Sequence, residues 1–174
     1  MSVLPPTVAQ LLQADRLRFP GMLPREVLIF KTWLASHESE YDSFDYNARI
    51  GAGFDPGAAW GESIRAMAIA NSQKRLDVVA MQGSQATLCE VKDRAGAAAL
   101  GQLLTYMPLW SIAHPDLPRA RMRLITNRLQ PDIGVVATFW GIEVDVVPCD
   151  FSVLARDRRA SPFMAKQTSG ITML

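Results

Sequence analysis

Two acids and a lysine occur where the apolar pattern of the chain predicts buried strands. Asp77 lies in the segment RLDVVAMQ (75–82), and Glu90 and Lys92 lie two residues apart in ATLCEVKD (86–93). Because alternate residues of a strand point to the same side, Glu90 and Lys92 are predicted to project together. A lone buried charge costs several kcal/mol or more, so each of these groups must be paired, bound to a ligand or catalytic.

The short connection between these two segments, GSQ, predicts a β-hairpin that brings Asp77 close to Glu90. Two carboxylates at that distance repel each other unless a cation lies between them. A hard divalent ion such as Mg²⁺ accepts one or two carboxylates and keeps waters and substrate phosphate as its other ligands. Lys92 beside it could orient or activate the attacking water and offset transition-state charge. The set predicts phosphodiester hydrolysis; the structural alternative is a salt bridge between Lys92 and either acid.

Gln102 and Tyr106 form a second pair of polar residues in an apolar segment. They are four residues apart in a run of Ala and Leu (96–113) that predicts a helix, so they share one helical face. An amide and a phenol on that face could contact metal-bound waters and the substrate phosphate. The alternative is structural, with Gln102 satisfying a sheet edge and Tyr106 belonging to the core.

The elements around these residues predict an α/β protein. Predicted helices cover residues 6–14, 23–37, 96–113 and 131–140, and predicted strands cover residues 41–51, 64–70, 75–82, 86–93, 121–126 and 142–148. From residue 23 onwards the order is α–β–β–β–β–α–β–α–β. This order predicts a mixed central sheet flanked by helices on both faces.

These residues resemble the PD-(D/E)XK nuclease superfamily. The resemblance is carried by Asp77, the Glu-Val-Lys tripeptide at 90–92 and the GQLLTY segment at 101–106. It is closest to the RecB-like and mismatch-endonuclease-like branches, which carry a Gln-x-x-x-Tyr motif. Leu76 stands where the family name has proline. The resemblance spans residues 23–148 and implies a restriction-endonuclease-like fold.

The resemblance also implies the roles of individual residues. Asp77, Glu90, the Val91 carbonyl and Glu26 of the first long helix are implied as ligands of Mg²⁺ or Mn²⁺. Lys92 is implied as the catalytic base or the group that orients water. Asp77 and Glu90 are therefore counted with Lys92 as catalytic residues.

A further group of residues is predicted to act on the substrate. Gln102 joins the catalytic set, and Tyr106 is a predicted DNA contact. Arg121 and Arg123 share a strand face and belong to a short positive stripe, so they are also predicted to contact DNA phosphates, with solvated surface as the alternative. The formal net charge is only +1, so any contact with nucleic acid must come from such a local patch.

The glycine-rich segment after residue 50 has no dinucleotide-binding context, because it does not open a helix directly after a strand. It predicts a flap near the site that could track a phosphate backbone. Trp60 in this segment is either a core or interface residue or a platform for base stacking.

The whole chain has the composition of a soluble globular domain, with 174 residues, 49% hydrophobic and 20% charged. Residues 1–22 are predicted to be an extension with a short helix, 23–150 the nuclease-like domain and 151–174 a tail. Cys89 and Cys149 are predicted to be free thiols in a reducing compartment. No signal peptide or membrane segment is predicted, which indicates a cytoplasmic protein or one packaged into a viral particle.

Three functional hypotheses follow. The first is a Mg²⁺-dependent deoxyribonuclease, with endonucleolytic or exonucleolytic cleavage left open. The second is a phage-type assembly or structural protein on the same fold, with or without DNA cleavage, in which the Arg-rich tail holds a homo-oligomer or a larger assembly. The third is a DNA-binding module that does not cleave.

Overall fold

The computed structural model describes residues 19–152 and 154. The helices are α1 (Pro24–His37), α2 (Glu62–Ser72), α3 (Ala97–Ala113) and α4 (Pro131–Phe139), and a short 3-10 turn (Glu38–Glu40) follows α1. The strands are β1 (Ser43–Ile50), β2 (Lys74–Gln82), β3 (Gln85–Ala95), β4 (Arg121–Leu129) and β5 (Ile142–Val146). The helix predicted at 6–14 and the tail from 155 lie outside the described residues.

The strands form one mixed sheet in the order β1-β2-β3-β4-β5. The first three strands are antiparallel neighbours, and β3, β4 and β5 run parallel. Parallel neighbours need a crossover, which α3 and α4 supply, whereas the β2–β3 hairpin closes through the two residues between Gln82 and Gln85.

Helices cover both faces of the sheet, and each face has its own apolar core. On one face, Phe30 and Trp33 of α1 pack over Val91 of β3. On the other face, Leu103 of α3 packs over Leu88, together with residues of α4. β3 is therefore buried on both sides from Ala86 to Val91. The predicted α/β class, a mixed central sheet with helices on both faces, is confirmed.

One predicted element is wrong. Residues 64–70 were predicted as a strand, but they belong to α2. A short apolar run cannot be assigned by periodicity alone, and this one alternates Ala with larger residues, so it imitates a buried strand. Alanine is the strongest helix former, and the three alanines at 66, 68 and 70 favour the helix. The sheet accordingly has five strands and not six.

Two further predictions concern the cysteines and the membrane. Cys89 and Cys149 are both free thiols, as predicted; Cys89 is buried and Cys149 is partly exposed. Burial raises the pKa of the Cys89 thiol to about 12, which keeps it protonated and unreactive. Across the described ranges, no helix has the length and apolar content that crossing a membrane requires.

Candidate active site

The candidate site lies where β2 separates from β3. Their backbone pairing ends at Val78 and Cys89. The next two residues in register, Asp77 and Glu90, are not paired through the backbone. In place of the next backbone bond, the Val91 N–H donates to Oδ2 of Asp77 over 2.9 Å. The pairing of β2 with β1 also skips this position, where Asn47 has a φ of 55°. A carboxylate thus occupies a gap in the sheet, close to the next strand.

Glu90 is the most buried acid of the site, with 1% of its surface exposed. Among the described residues, its Oε2 has no hydrogen-bond partner. Nζ of Lys92 lies 2.5 Å from Oε1 and is the counter-ion of this buried carboxylate. Burial, reinforced by the charge of Asp77, raises the pKa of Glu90 to about 7 despite the opposing charge of Lys92. Its open lone pairs suit a cation ligand.

The ammonium of Lys92 lies at the centre of the cluster. Besides Glu90, it lies 3.4 Å from Oδ2 of Asp77 and 3.6 Å from Oε1 of Glu26, and it donates to the Val91 carbonyl over 3.1 Å. Burial opposes its charge, but Asp77 and Glu90 outweigh burial and raise the pKa of Lys92. The salt bridge considered as the structural alternative is therefore present. Its partners are the same four groups that the resemblance implies as metal ligands.

Glu26 reaches the cluster from the first turn of α1. Its Oε2 accepts the N–H of Leu23 over 2.8 Å, which caps the helix, and Pro24 begins the helix where no N–H is needed. Its other oxygen faces Lys92. Burial raises the pKa of Glu26 in spite of the Leu23 N–H and Lys92. One side chain therefore fixes the helix end and directs an acid at the site.

Gln102 and Tyr106 share a face of α3, as predicted. Nε2 of Gln102 donates to the Tyr106 hydroxyl over 3.0 Å. The Tyr106 ring is buried in the core, as the structural alternative for this residue predicted. Burial also raises the pKa of its hydroxyl. The charges of Glu90 and Asp77 reinforce this rise in the pKa of Tyr106, and the charge of Lys92 opposes it.

The two predicted DNA-binding arginines behave differently. Arg121 is exposed at the start of β4, opposite Thr87 of β3. Arg123 is 14% exposed; it donates to Glu143 and lies over the ring of Trp33, 5.5 Å from its centroid. Its side chain thus belongs to an ion-pair group on the α1 face, apart from Lys92. DNA contact by either arginine stays a prediction.

Three positioning residues escaped the sequence analysis. Arg25 of α1 donates to Oδ2 of Asp93 over 2.7 Å, and Asn127 of β4 donates to Oδ1 of the same residue over 3.1 Å. These bonds tie the first turn of α1 to the ends of β3 and β4, and they hold Glu26 beside Lys92. Asp93 directly follows the lysine in sequence, but nothing in the sequence indicates its partners.

The donor set fits a hard divalent ion. Within the described ranges, no three His, Cys, Asp or Glu side chains are placed to hold a metal together. Two carboxylates, from Asp77 and Glu90, and the Val91 carbonyl remain, with open lone pairs on the buried Glu90. Mg²⁺ typically uses one or two carboxylates and completes its coordination with water and phosphate oxygens. The oxygen-rich set therefore matches Mg²⁺ or Mn²⁺ better than a soft metal.

The bond from Val91 to Asp77 gives a test of how the site is held. We expect Asp77→Ala to lower the free energy of unfolding by about 1–3 kcal/mol, because a part-buried backbone N–H loses its acceptor. Asp77→Asn keeps an acceptor oxygen and should cost less than half as much. Urea denaturation at pH 7 in EDTA measures both. Equal losses in the two variants would contradict this role for Asp77.

Comparison with known proteins gives two similar solved structures. No family model matches the chain, and no curated protein matches it. A repair endonuclease from Pyrococcus abyssi aligns with 70% of this chain and 46% of its own length, at 14% identity and a TM-score of 0.44. A solved protein of unknown function aligns with 76% of this chain and 67% of its own, at 13% identity and a TM-score of 0.44. The chain thus spans less than half of the repair endonuclease.

Proposed function

We propose that this protein is a nuclease that hydrolyses DNA phosphodiester bonds with a divalent metal ion. The observation that carries the proposal is the convergence of Asp77, Glu90 and the Val91 carbonyl around one lysine, at a gap between two strands. A purely structural ion pair would not need a buried acid that leaves its second oxygen, Oε2, without a polar partner.

Each residue of the cluster has a role in this reaction. Asp77, Glu90 and the Val91 carbonyl would hold Mg²⁺ or Mn²⁺, which polarises the scissile phosphate and lowers the pKa of a bound water. Glu26 lies at the edge of the set, through its contact with Lys92. With acids on three sides, Lys92 keeps its proton. We therefore assign it water orientation and stabilisation of negative charge, and not proton abstraction.

Gln102 and Tyr106 act on the substrate side of the cluster in this proposal. The amide of Gln102 is part-exposed on α3 and already orients the Tyr106 hydroxyl. Because a raised pKa keeps that hydroxyl protonated, it can donate a hydrogen bond to a phosphate oxygen. The competing assembly function depends on the Arg-rich tail, which lies outside the described residues.

Cleavage assays test the proposal. Purified protein is incubated with linear duplex, closed circular and single-stranded DNA, with Mg²⁺ or Mn²⁺ and then with excess EDTA. We expect strand cleavage that stops with EDTA and resumes when Mg²⁺ is restored in excess. Cleavage of the closed circle would identify an endonuclease. Failure to cleave all three DNAs with either ion would contradict the proposed function.

A further inference from the structure

The connection between β1 and β2, residues 51–73, exposes an unusual amount of apolar surface; we call it the β1–β2 arm. It contains α2, none of whose residues is buried. Trp60, just before α2, is 54% exposed, and Ile64 and Met67, which share one face of α2, are also exposed. Phe54 in the same segment is 66% exposed. Such a cluster on an ordered segment marks a binding surface.

Bonds within the β1–β2 arm give this surface a fixed shape. Arg65 of α2 forms a two-bonded ion pair with Asp55 in the loop, and the Phe54 N–H donates to the Ser72 hydroxyl over 2.6 Å. Gly53 has a φ of +70°, and a Cβ there would lie 2.4 Å from a backbone oxygen of α2. Only glycine therefore lets the loop pack this closely on the helix.

Basic residues border the β1–β2 arm without acidic partners. Arg49 and Arg75 lie directly opposite each other in the β1–β2 ladder, and Lys74 is the next residue along β2. All three are exposed and form no ion pair within the part of the chain that the structure describes. Like charges directly opposite each other destabilise a sheet, so an anionic ligand would relieve this pair.

The same basic residues lie close to the candidate active site. Arg75 precedes Asp77 by two residues, a distance of about 7 Å along an extended strand. Gly51, at the start of the β1–β2 arm, lies within van der Waals reach of Leu109 of α3, the helix that carries Gln102 and Tyr106. The basic residues therefore adjoin the site along β2, and the β1–β2 arm begins beside the helix that carries Gln102 and Tyr106.

We propose that the β1–β2 arm binds the unpaired bases of single-stranded DNA while Arg49, Lys74 and Arg75 contact its phosphates. This inference rests on the proposed nuclease function and names the substrate class, DNA with a single-stranded segment at the site. Aromatic faces such as those of Trp60 and Phe54 stack on bases of any sequence, but a duplex hides its base faces. A polyanion also suits basic residues that have no acidic partner, whereas a purely apolar protein partner would leave them unpaired.

Binding of labelled oligonucleotides in EDTA, where no cleavage occurs, tests the inference. Fluorescence anisotropy compares a single-stranded 20-mer with its duplex for Trp60→Ala and for the control Trp140→Ala, because Trp140 is similarly exposed, at 51%. We expect Trp60→Ala to weaken single-strand binding about tenfold and duplex binding less than twofold. Trp140→Ala should change neither. Arg75→Ala should weaken binding of both the single strand and the duplex. It should also make the slope of log affinity against log salt concentration shallower by about one, the value of one phosphate contact.

The outcomes separate this inference from the proposed function. Equal single-strand affinities for Trp60→Ala and Trp140→Ala would overturn it, even if the wild type cleaves DNA. A Trp60→Ala protein that loses self-association in light scattering but keeps its affinity for single strands would overturn it in favour of a protein contact. Selective loss of single-strand binding would support it even if no cleavage were found. Asp77→Asn should keep single-strand binding while losing cleavage, which distinguishes the surface from the cluster.

Discussion

Replacing Lys92 with methionine should reduce metal-dependent DNA cleavage by about 10²–10³-fold or more. Methionine keeps an unbranched, apolar stem but removes the ammonium that touches both acids and the Val91 carbonyl. Loss of one preorganised donor to transition-state charge typically costs a factor of this size. Single-turnover cleavage of a labelled strand in Mg²⁺ measures the effect.

The matched control is Lys31→Met, which removes an exposed lysine of α1 and should leave the cleavage rate unchanged. Lys92→Met leaves the acids of the cluster without their cation, so its fold must be checked by circular dichroism at the assay temperature. Asp77→Asn supplies a second variant, because it keeps an acceptor for the Val91 N–H while weakening the metal site. A folded Lys92→Met protein that cleaves at the wild-type rate would refute the assigned role.

Glu90→Gln should stabilise the metal-free protein at pH 8 by about 2–3 kcal/mol and change its stability much less at pH 5. The pKa of Glu90 rises from an ordinary 4.5 to about 7, mainly because of burial and then because of Asp77. A raised pKa means that the folded state binds the proton more tightly. The contribution of this proton to stability is therefore present below pH 4.5 and lost as the pH rises through about 7. Glutamine has nearly the same shape and stays neutral, so it avoids this loss.

Urea denaturation in EDTA at the two pH values checks this prediction. The free energy of unfolding of Glu90→Gln minus that of the wild type should increase from pH 5 to pH 8. Glu38→Gln, in the exposed turn after α1, is the control and should show no such increase. A Glu90→Gln variant that is less stable than wild type at pH 8 would show that the pair with Lys92 outweighs the burial of the charge. The same variant should lose cleavage, so stability and activity would change in opposite directions.

This opposition is expected of a binding site and not of a structural ion pair. An acid kept at 1% exposure with one oxygen unpaired lowers the stability of the metal-free fold at neutral pH. A structural role gains nothing from that cost, whereas a cation ligand needs the free lone pairs. Lys92→Met and Glu90→Gln therefore test one statement, that the cluster serves binding and catalysis and not stability. The first tests it through the cleavage rate and the second through the free energy of unfolding.

The sequence by itself determined the strands and the helix that carry the cluster. The two-residue period of β3 puts Glu90 and Lys92 on one side, and the short connection after Gln82 fixes a hairpin whose register places Asp77 opposite Glu90. The four-residue spacing in α3 likewise pairs Gln102 with Tyr106. These are local properties, set by backbone geometry over a few residues, so a pattern can predict them.

Only the tertiary structure decided which distant groups meet. The short apolar run at 64–70 is compatible with strand or helix, and its surroundings select α2. The sheet opens beside Asp77, which turns an expected neighbour of Glu90 into the acceptor of the Val91 N–H. Arg123 finds Glu143 on β5, twenty positions later, and is drawn into an ion-pair group on the α1 face. Pairings of this kind depend on how helices and strands pack against one another, and no local pattern of residues records that packing.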